Sequence, residues 1–88
     1  MKVEFKASFA RDLRKIKDIS IKKQVGLVIE LLEKAPNLHE ITNIKKITGV
    51  DTYFRIRMGD YRIGLIVEAD TIIFVRFLHR KDVYRYFP

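Results

Sequence analysis

Arginine side chains recur at close spacing in the second half of this chain, within sequence that has the pattern of β-strands. Arg55 and Arg57 alternate with apolar residues, and Arg62 follows them after Gly59 and Asp60. Arginines two residues apart lie on the same face of a strand. A guanidinium binds phosphate through two parallel hydrogen bonds, and a rigid sheet holds several such groups in place. The spacing therefore predicts a platform that binds the phosphates of RNA.

The elements that must position these arginines are two strands joined by a tight turn at Gly59-Asp60. Glycine at the first turn position is typical of a two-residue type II′ hairpin. That turn predicts the cross-strand pairs Met58 with Tyr61, Arg57 with Arg62, Ile56 with Ile63 and Arg55 with Gly64. The apolar side chains then share the face that packs on the helices: Phe54, Ile56, Met58, Tyr61, Ile63 and Leu65. The arginines share the other face, where the Arg57–Arg62 repulsion of up to about one kcal/mol would be relieved by a bound polyanion.

A further strand is predicted over residues 71–78, with the odd-numbered residues on the core face. A three-residue loop over residues 68–70 would pair Arg62 with Arg76. A two-residue loop would instead direct Arg76 into the core opposite Ile63, and burying an unpaired guanidinium is costly. The longer loop is therefore predicted, and it makes Arg76 the fourth member of the arginine face.

The N-terminal half has the periodicity of one strand and two helices. Val3 and Phe5 alternate with charged residues and predict an opening strand with one buried face. Ser8 is the predicted cap of a first helix. Ser20 is the predicted cap of a second, whose apolar residues recur at helical spacing until Pro36 ends it. The two helices are expected to form a hairpin.

Residues 36–48 have no clear period and are predicted to form a connection, in which Lys45 and Lys46 are solvated loop lysines. The complete pattern predicts an α+β fold: an N-terminal strand, a two-helix hairpin, then a three-stranded antiparallel meander packed on the helices. A single domain is expected to span residues 1–88.

Composition limits the classes of function. The chain has 88 residues, 48% hydrophobic and 33% charged, which is enough for one small core. Its 18 lysines and arginines against 11 acidic residues give a net charge of +7, which favours polyanionic or acidic partners. Cysteine is absent, His39 and His79 lack carboxylates at ligand spacing, and no nucleotide fingerprint occurs, so neither metal nor cofactor is predicted. Without an apolar leader or membrane span, a cytoplasmic protein is expected.

Two segments carry a resemblance to a known family. Residues 53–62 read Tyr-Phe-Arg-Ile-Arg-Met-Gly-Asp-Tyr-Arg, and residues 79–84 read His-Arg-Lys-Asp-Val-Tyr. With the order of the predicted elements, they resemble the RelE branch of the RelE/ParE toxin superfamily. The resemblance implies a toxin of a type II toxin-antitoxin system, silenced by a cognate antitoxin protein. It further implies a ribosome-dependent endoribonuclease that enters the A site, contacts rRNA through its basic surface and cleaves mRNA without metal, by attack of a 2′-OH on the adjacent phosphate.

The resemblance also implies roles for individual residues. Arg55 and Arg57 match basic positions on the second strand of the family pattern, and Arg62 matches the arginine that contacts the scissile phosphate. Arg80 matches a position that assists the leaving group, and Tyr84 matches the aromatic residue that stacks on an mRNA base. These five are the predicted catalytic residues. Further RNA contacts are predicted at Lys45, Lys46, Arg76 and Lys81.

One departure from the family pattern concerns the general base. Where that pattern has lysines on the second strand, one of them a proposed base, this chain has arginines, which do not readily release a proton. His79 is one candidate for the missing proton transfer, because an unperturbed imidazole titrates near neutral pH. Its strand position is on the packed side, however, which favours a structural role. Tyr84 is the other candidate.

Two other functions remain open from the sequence. The chain could inhibit DNA gyrase, as the ParE relatives do, or it could be an attenuated relative that binds antitoxin or RNA without cleaving. The arginine face could then serve only to keep the sheet soluble and to bind an acidic segment of the antitoxin.

Overall fold

A computed structural model describes residues 1–49 and 52–88. The described residues form, in chain order, β1 (Lys2–Phe5), α1 (Ala7–Arg14), α2 (Ile19–Lys34), a 3-10 turn (Leu38–Glu40), β2 (Ile44–Lys46), β3 (Tyr53–Met58), β4 (Tyr61–Glu68), β5 (Thr71–His79) and α3 (Val83–Tyr86). One sheet has the strand order β1-β5-β4-β3-β2, with β1 parallel to β5 and the other neighbours antiparallel. The predicted α+β class is confirmed. Within the described ranges, no helix has the length and apolar character needed to cross a bilayer.

The main core lies between the two N-terminal helices and one face of the sheet. Phe9 of α1 and Val25 and Leu32 of α2 are buried there. The sheet contributes Ile56, Ile63, Leu65, Ile72, Phe74 and Phe77. Removal of these side chains from water is the main term that stabilises so small a fold. The apolar face predicted for the β3–β4 hairpin is the face that joins this core.

Both predicted helix caps are wrong. α1 begins after Lys6, which makes no side-chain capping bond, and the Ser8 hydroxyl instead donates to the Val75 carbonyl (2.5 Å). The cap of α2 is Asp18, whose carboxylate accepts hydrogen bonds from the hydroxyl (2.8 Å) and the N–H (2.9 Å) of Ser20. These bonds lower the pKa of Asp18. A carboxylate at this position also interacts favourably with the positive end of the helix, so it takes the cap in place of the serine.

The prediction of an irregular connection over residues 36–48 is wrong at β2. This strand pairs with β3, with Ile44 opposite Ile56, Lys45 opposite Arg55 and Lys46 opposite Phe54. Three residues are too few to show a period, and their extended state depends on a partner strand elsewhere in the chain. Lys45 and Lys46 are therefore residues of an edge strand, where lysine also discourages pairing with another chain.

The predicted register of the β3–β4 hairpin is confirmed at each pair, including Arg57 with Arg62 and Arg55 with Gly64. The turn residue Gly59 has a φ of 59°, which the first position of the predicted turn type requires and glycine adopts without strain.

The predicted three-residue loop before β5 is wrong, because a β-bulge supplies the additional residue instead. Glu68 pairs with Thr71 across a two-residue turn. The register then shifts between Gly64 and Leu65, and Val75 is the extra residue of β5.

The bulge changes which residues of β5 face the core. Ile72 and Phe74 are buried before it and Phe77 after it, so the predicted odd-numbered core face is correct at Phe77 and wrong in the first half of the strand. Beyond the bulge, the pairs are Arg62 with Leu78, Ile63 with Phe77 and Gly64 with Arg76. The predicted pairing of Arg62 with Arg76 is therefore wrong, although Arg76 does stay out of the core.

Arg76 belongs to the contact between α1 and β5. Asp12 of α1 is 7% exposed and accepts hydrogen bonds from Nε (2.7 Å) and Nη2 (3.1 Å) of Arg76 and from the N–H of Phe77 (3.0 Å). The hydrogen bond to this carboxylate raises the pKa of the guanidinium. β1 pairs with β5 only through residues 71–74. The Asp12 carboxylate therefore provides a hydrogen-bond acceptor for the Phe77 N–H, which lies beyond the end of β1.

The C-terminal segment covers part of the other face of the sheet. Val83 and Phe87, at the two ends of the α3 turn, are buried. The Phe87 ring lies directly against Gly64, and its centre is 5.5 Å from that of the Tyr53 ring. Gly64 pairs with Arg55, so the tail packs on the arginine face, beside the arginines.

Candidate functional site

The side chains of Arg55, Arg57 and Arg62 line one open cleft of about 300 Å³. It lies on the face of the sheet opposite the two N-terminal helices. We call it the arginine cleft. Its described lining is Asn43, Ile44, Lys45, Arg55, Arg57, Arg62 and Tyr84. The hairpin register places the three guanidiniums there, because alternate residues of paired strands point to the same side. The sequence-predicted convergence of these arginines is thus present.

Arg62 is held at the turn end of the cleft. Its Nη1 donates to the carbonyls of Gly59 and Tyr61, both at 2.8 Å. A guanidinium has five N–H groups, and Nη1 supplies two of them, so Nε and Nη2 carry the other three. These bonds orient the planar group and restrict its motion, which lowers the entropy lost when an anion binds. The guanidinium of Arg62 is therefore held in a restricted orientation at this end of the cleft.

Arg55 and Tyr84 form the other end of the cleft. The guanidinium carbon of Arg55 lies 4.6 Å from the centre of the Tyr84 ring, which is the geometry of a cation–π contact. Tyr84 is nevertheless 77% exposed. One face of the ring is occupied by Arg55 while the side chain stays open to solvent, so a nucleobase can stack on it beside the cationic groups.

Lys45 also lines the cleft, although the sequence pattern predicts it in a loop. It lies on β2 opposite Arg55 and brings a primary ammonium among the guanidiniums. Asn43, just before this strand, has a φ of 64°, and its carbonyl accepts the N–H of Arg57 (2.9 Å). The available sequence signal is the apolar Ile44 followed by two lysines, and it is too short to distinguish a strand from a loop. The resemblance implies a lysine on the strand of Arg55 and Arg57, which is β3 here. That strand has arginines, and Lys45 lies beside it on β2.

A second cleft, of about 310 Å³, shares Lys45, Arg55 and Tyr84 with the arginine cleft. Its further lining includes Lys46 and Phe87. The exposed ring of Tyr84 therefore borders both clefts, and basic side chains continue from one to the other. A strand of RNA that crosses Tyr84 would meet positive charge on both sides.

The remaining predicted site residues lie outside the arginine cleft. Arg76 is bonded to Asp12 and lines a separate cleft of about 510 Å³ with His79. Arg80 is 63% exposed at its side chain, and its Nε lies 3.8 Å from a carboxylate oxygen of Asp60. The backbone N–H of Lys81 donates to Nδ1 of His79 (3.2 Å). The structure thus groups Arg55, Arg57, Arg62, Lys45 and Tyr84, and it separates Arg76, His79, Arg80 and Lys81 from them.

The arginine cleft is a concentrated positive field. Among its described lining residues are four cationic side chains and no carboxylate. Like charges this close repel one another, and an anionic ligand removes that cost while it gains charge-assisted hydrogen bonds. In the described part of the chain, no group of three or more His, Asp or Glu side chains is arranged to hold a metal ion.

His79 faces the helix side rather than the cleft. It pairs with Tyr61 across β4 and β5, and the two rings make an edge contact at 5.5 Å. If the protein cleaves RNA, we expect His79→Ala to cleave it at the same rate, because the imidazole and the arginines lie on different sides of the sheet. Measured cleavage rates and urea midpoints would check this. A large loss of cleavage with an unchanged midpoint would instead assign the proton transfer to His79.

Comparison with known proteins bears on the family and the fold of this chain. Residues 3–84 match the ParE toxin family of type II toxin-antitoxin systems, parDE. The chain is 47% identical over 89 residues, covering 100% of both chains, to "Toxin RelE3" of Methanocaldococcus jannaschii. Its fold matches the RelB-RelE antitoxin-toxin complex from Methanococcus jannaschii with a TM-score of 0.81 at 45% identity, over 97% of this chain and 99% of that one.

A more distant match illustrates how far the fold extends. The toxin-antitoxin complex RelBE2 of Mycobacterium tuberculosis aligns with a TM-score of 0.69 over 92% of each chain, at 24% identity. Agreement at that identity concerns the fold alone. The family match and the archaeal relatives extend the agreement to sequence over nearly the whole chain. The chain therefore belongs to the RelE/ParE superfamily of type II toxin-antitoxin systems, in its RelE-like branch.

Proposed function

We propose that this protein is a toxin that cleaves mRNA on the ribosome by a metal-independent transesterification. The observation that carries the proposal is the convergence of Arg55, Arg57 and Arg62 with Tyr84 in one cleft that contains no described carboxylate. A site of this kind suits a substrate with an anionic phosphate and an adjacent base. The high identity to a RelE toxin supports the same function.

The chemistry requires little beyond alignment and charge. The ribose 2′-oxygen attacks the adjacent phosphorus, the bond from phosphorus to the 5′-oxygen breaks, and the products are a 2′,3′-cyclic phosphate and a 5′-hydroxyl. Negative charge grows on the phosphate oxygens as the new bond forms. We assign the donors to those oxygens to Arg62, held at the turn, and to Arg57, its cross-strand partner. Stabilisation of developing charge by such fixed donors is commonly the largest single contribution to catalysis.

Two protons must also move, one from the 2′-oxygen and one to the leaving 5′-oxygen. A guanidinium does not readily supply or accept them. Among the described residues that line the arginine cleft, Lys45 and Tyr84 are the ones whose side chains can exchange a proton. We therefore assign the proton transfers to these two, with Arg55 as the cation that supports Tyr84. Arg80 lies outside the arginine cleft, exposed beside Asp60, so its assistance to the leaving group stays a prediction.

We also propose a cognate antitoxin as the protein partner. The solved relative from Methanococcus jannaschii is a complex of RelE with RelB. A site made of cations is most directly blocked by carboxylates, so the antitoxin is expected to present an acidic segment to the arginine cleft. rRNA and mRNA are the nucleic-acid partners.

The proposal is tested by inducing the protein in a bacterial host and mapping mRNA ends by primer extension. We expect growth arrest, with new 5′-ends inside translated messages and none when translation initiation is blocked. The match to the ParE family favours gyrase inhibition as the second candidate. In that case DNA breaks would accumulate while messages remained whole, and the proposed nuclease would be wrong. Normal growth and intact messages would indicate a protein that only binds.

A further inference from the structure

We propose that Phe87 is a positioning residue, which holds Tyr84 over Arg55 by seating its ring on Gly64. The proposal rests on the function proposed above, because its consequence is the placement of the base-stacking aromatic group at the arginine cleft. It concerns a contact on the arginine face of the sheet, outside the main core between the helices and the sheet.

Gly64 and Phe87 fit each other closely. A Cβ atom built on Gly64 would lie 2.7 Å from Cγ and Cδ2 of Phe87 and 2.8 Å from its Cδ1. Real Cβ atoms essentially never show separations below 3.0 Å, so any larger residue at position 64 would force the ring and the strand apart. Phe87 is 3% exposed and also contacts the Tyr53 ring, so it has no open side to move into. The glycine is therefore a seat for this ring.

The seat determines where Tyr84 lies. α3 is one helical turn, and a helix this short is not stable without tertiary contacts. The buried side chains of Val83 and Phe87 anchor the two ends of this turn. The N–H of Phe87 also donates a hydrogen bond to the Val83 carbonyl (2.9 Å). Tyr84 follows the first anchor and points to solvent. The packing of Val83 and Phe87 therefore determines the position of the Tyr84 ring.

The seat is also adjacent to the group that Tyr84 contacts. Gly64 is the cross-strand partner of Arg55, and Arg55 is the cation beneath the Tyr84 ring. In this cross-strand pair, Gly64 contacts the Phe87 ring and Arg55 contacts the Tyr84 ring. Loss of the Phe87 seat would free the turn and move Tyr84 away from Arg55, although the sheet and its arginines would stay in place.

The first experiment measures the position of residue 84 without relying on cleavage. The chain contains no tryptophan, so Tyr84→Trp introduces a single indole, which is excited at wavelengths that the remaining tyrosines do not absorb. We expect time-resolved anisotropy to show a rigid indole in that protein and a mobile one after Phe87→Ala or Gly64→Ala is added. Phe87→Leu, which retains an apolar side chain of similar length, should preserve most of the rigidity. If Phe87→Ala does not fold, the Gly64→Ala protein decides the result, because it disturbs the same contact and leaves Phe87 in place.

The matched control is Phe74→Leu, a loss of ring volume in the main core. That change should lower the urea midpoint and leave the anisotropy of residue 84 unchanged. A rigid indole after Gly64→Ala and, where it folds, after Phe87→Ala would overturn the proposal, and so would an indole that Phe74→Leu mobilises as much as Gly64→Ala does.

The second experiment measures mRNA cleavage in a double-mutant cycle. Tyr84→Ala and Phe87→Ala should each reduce cleavage roughly 5- to 150-fold, the worth of one base–aromatic stack. If Phe87 acts through Tyr84, the combined variant should cleave no more slowly than Tyr84→Ala alone. Multiplicative losses would show an independent role and contradict the proposal. Failure of the unmodified protein to cleave would refute the proposed function, and the fluorescence result would still decide the role of Phe87.

Discussion

Arg62→Ala is expected to reduce mRNA cleavage by about 100-fold or more, because it removes a fixed donor to the phosphate in the transition state. Two hydrogen bonds from Nη1 to backbone carbonyls hold this guanidinium, so its contribution depends on preorganisation as well as charge. The fold should survive, since the side chain lies outside the main core and its removal also relieves the repulsion with Arg57. Cleavage is measured by primer extension on cellular mRNA, and folding by urea unfolding.

The matched control for Arg62→Ala is Arg14→Ala, which removes the same charge from the exposed end of α1. It should weaken ribosome association only slightly and leave the cleavage step intact. Arg62→Lys should cleave mRNA at a rate between those of the unmodified protein and Arg62→Ala, because an ammonium retains the charge and loses the two-pronged geometry. Undiminished cleavage by a folded Arg62→Ala protein would remove the phosphate role on which the proposed mechanism depends.

Asp12→Ala is expected to lower the free energy of unfolding by about 3 kcal/mol, the cost of removing one member of a largely buried ion pair. The carboxylate is 7% exposed and accepts hydrogen bonds from Arg76 and from the Phe77 backbone. Without it, the guanidinium, which is 27% exposed, and the N–H both lose their acceptor. Urea unfolding measures the effect, and cleavage at temperatures where the protein remains folded should be little changed.

Asp60→Ala provides the comparison for Asp12→Ala. Asp60 pairs with Arg80 at 3.8 Å, with both side chains more than 60% exposed, and such surface pairs contribute about 1 kcal/mol or less. If Asp12→Ala cost no more than Asp60→Ala, the link between α1 and β5 would not be the stabilising contact described above. Arg76→Met combined with Asp12→Leu should cost less than Asp12→Ala alone, because no charge is then left unpaired.

The contrast between Arg62 and Arg76 illustrates how the setting of an arginine decides its use. Both arginines lie within strand-like sequence, and the sequence pattern predicts both on one phosphate-binding face. Arg62 is bonded to neutral carbonyls and keeps its charge available to a ligand. Arg76 is neutralised by Asp12, a residue 64 positions away in the chain. The proposed RNA contact of Arg76 stays a prediction, but it would have to compete with that carboxylate.

Local patterns in the sequence were sufficient to determine the β3–β4 hairpin, its register and therefore the common face of Arg55, Arg57 and Arg62. The reason is that alternation, a glycine turn and cross-strand pairing all act over a few residues, where sequence distance and spatial distance agree. The family resemblance added the expectation that Tyr84 joins these arginines, and the structure brings them together.

Only the tertiary structure decided the features that depend on partners far apart in the chain. β2 is extended because β3 lies beside it, which moves Lys45 from a predicted loop into the arginine cleft. The bulge at Val75 sets the register of β5, and Asp12 of α1 then captures Arg76. Phe87 finds its seat on Gly64, 23 positions earlier in the chain. No local period encodes such contacts, because their stabilisation arises only when separate elements have packed together.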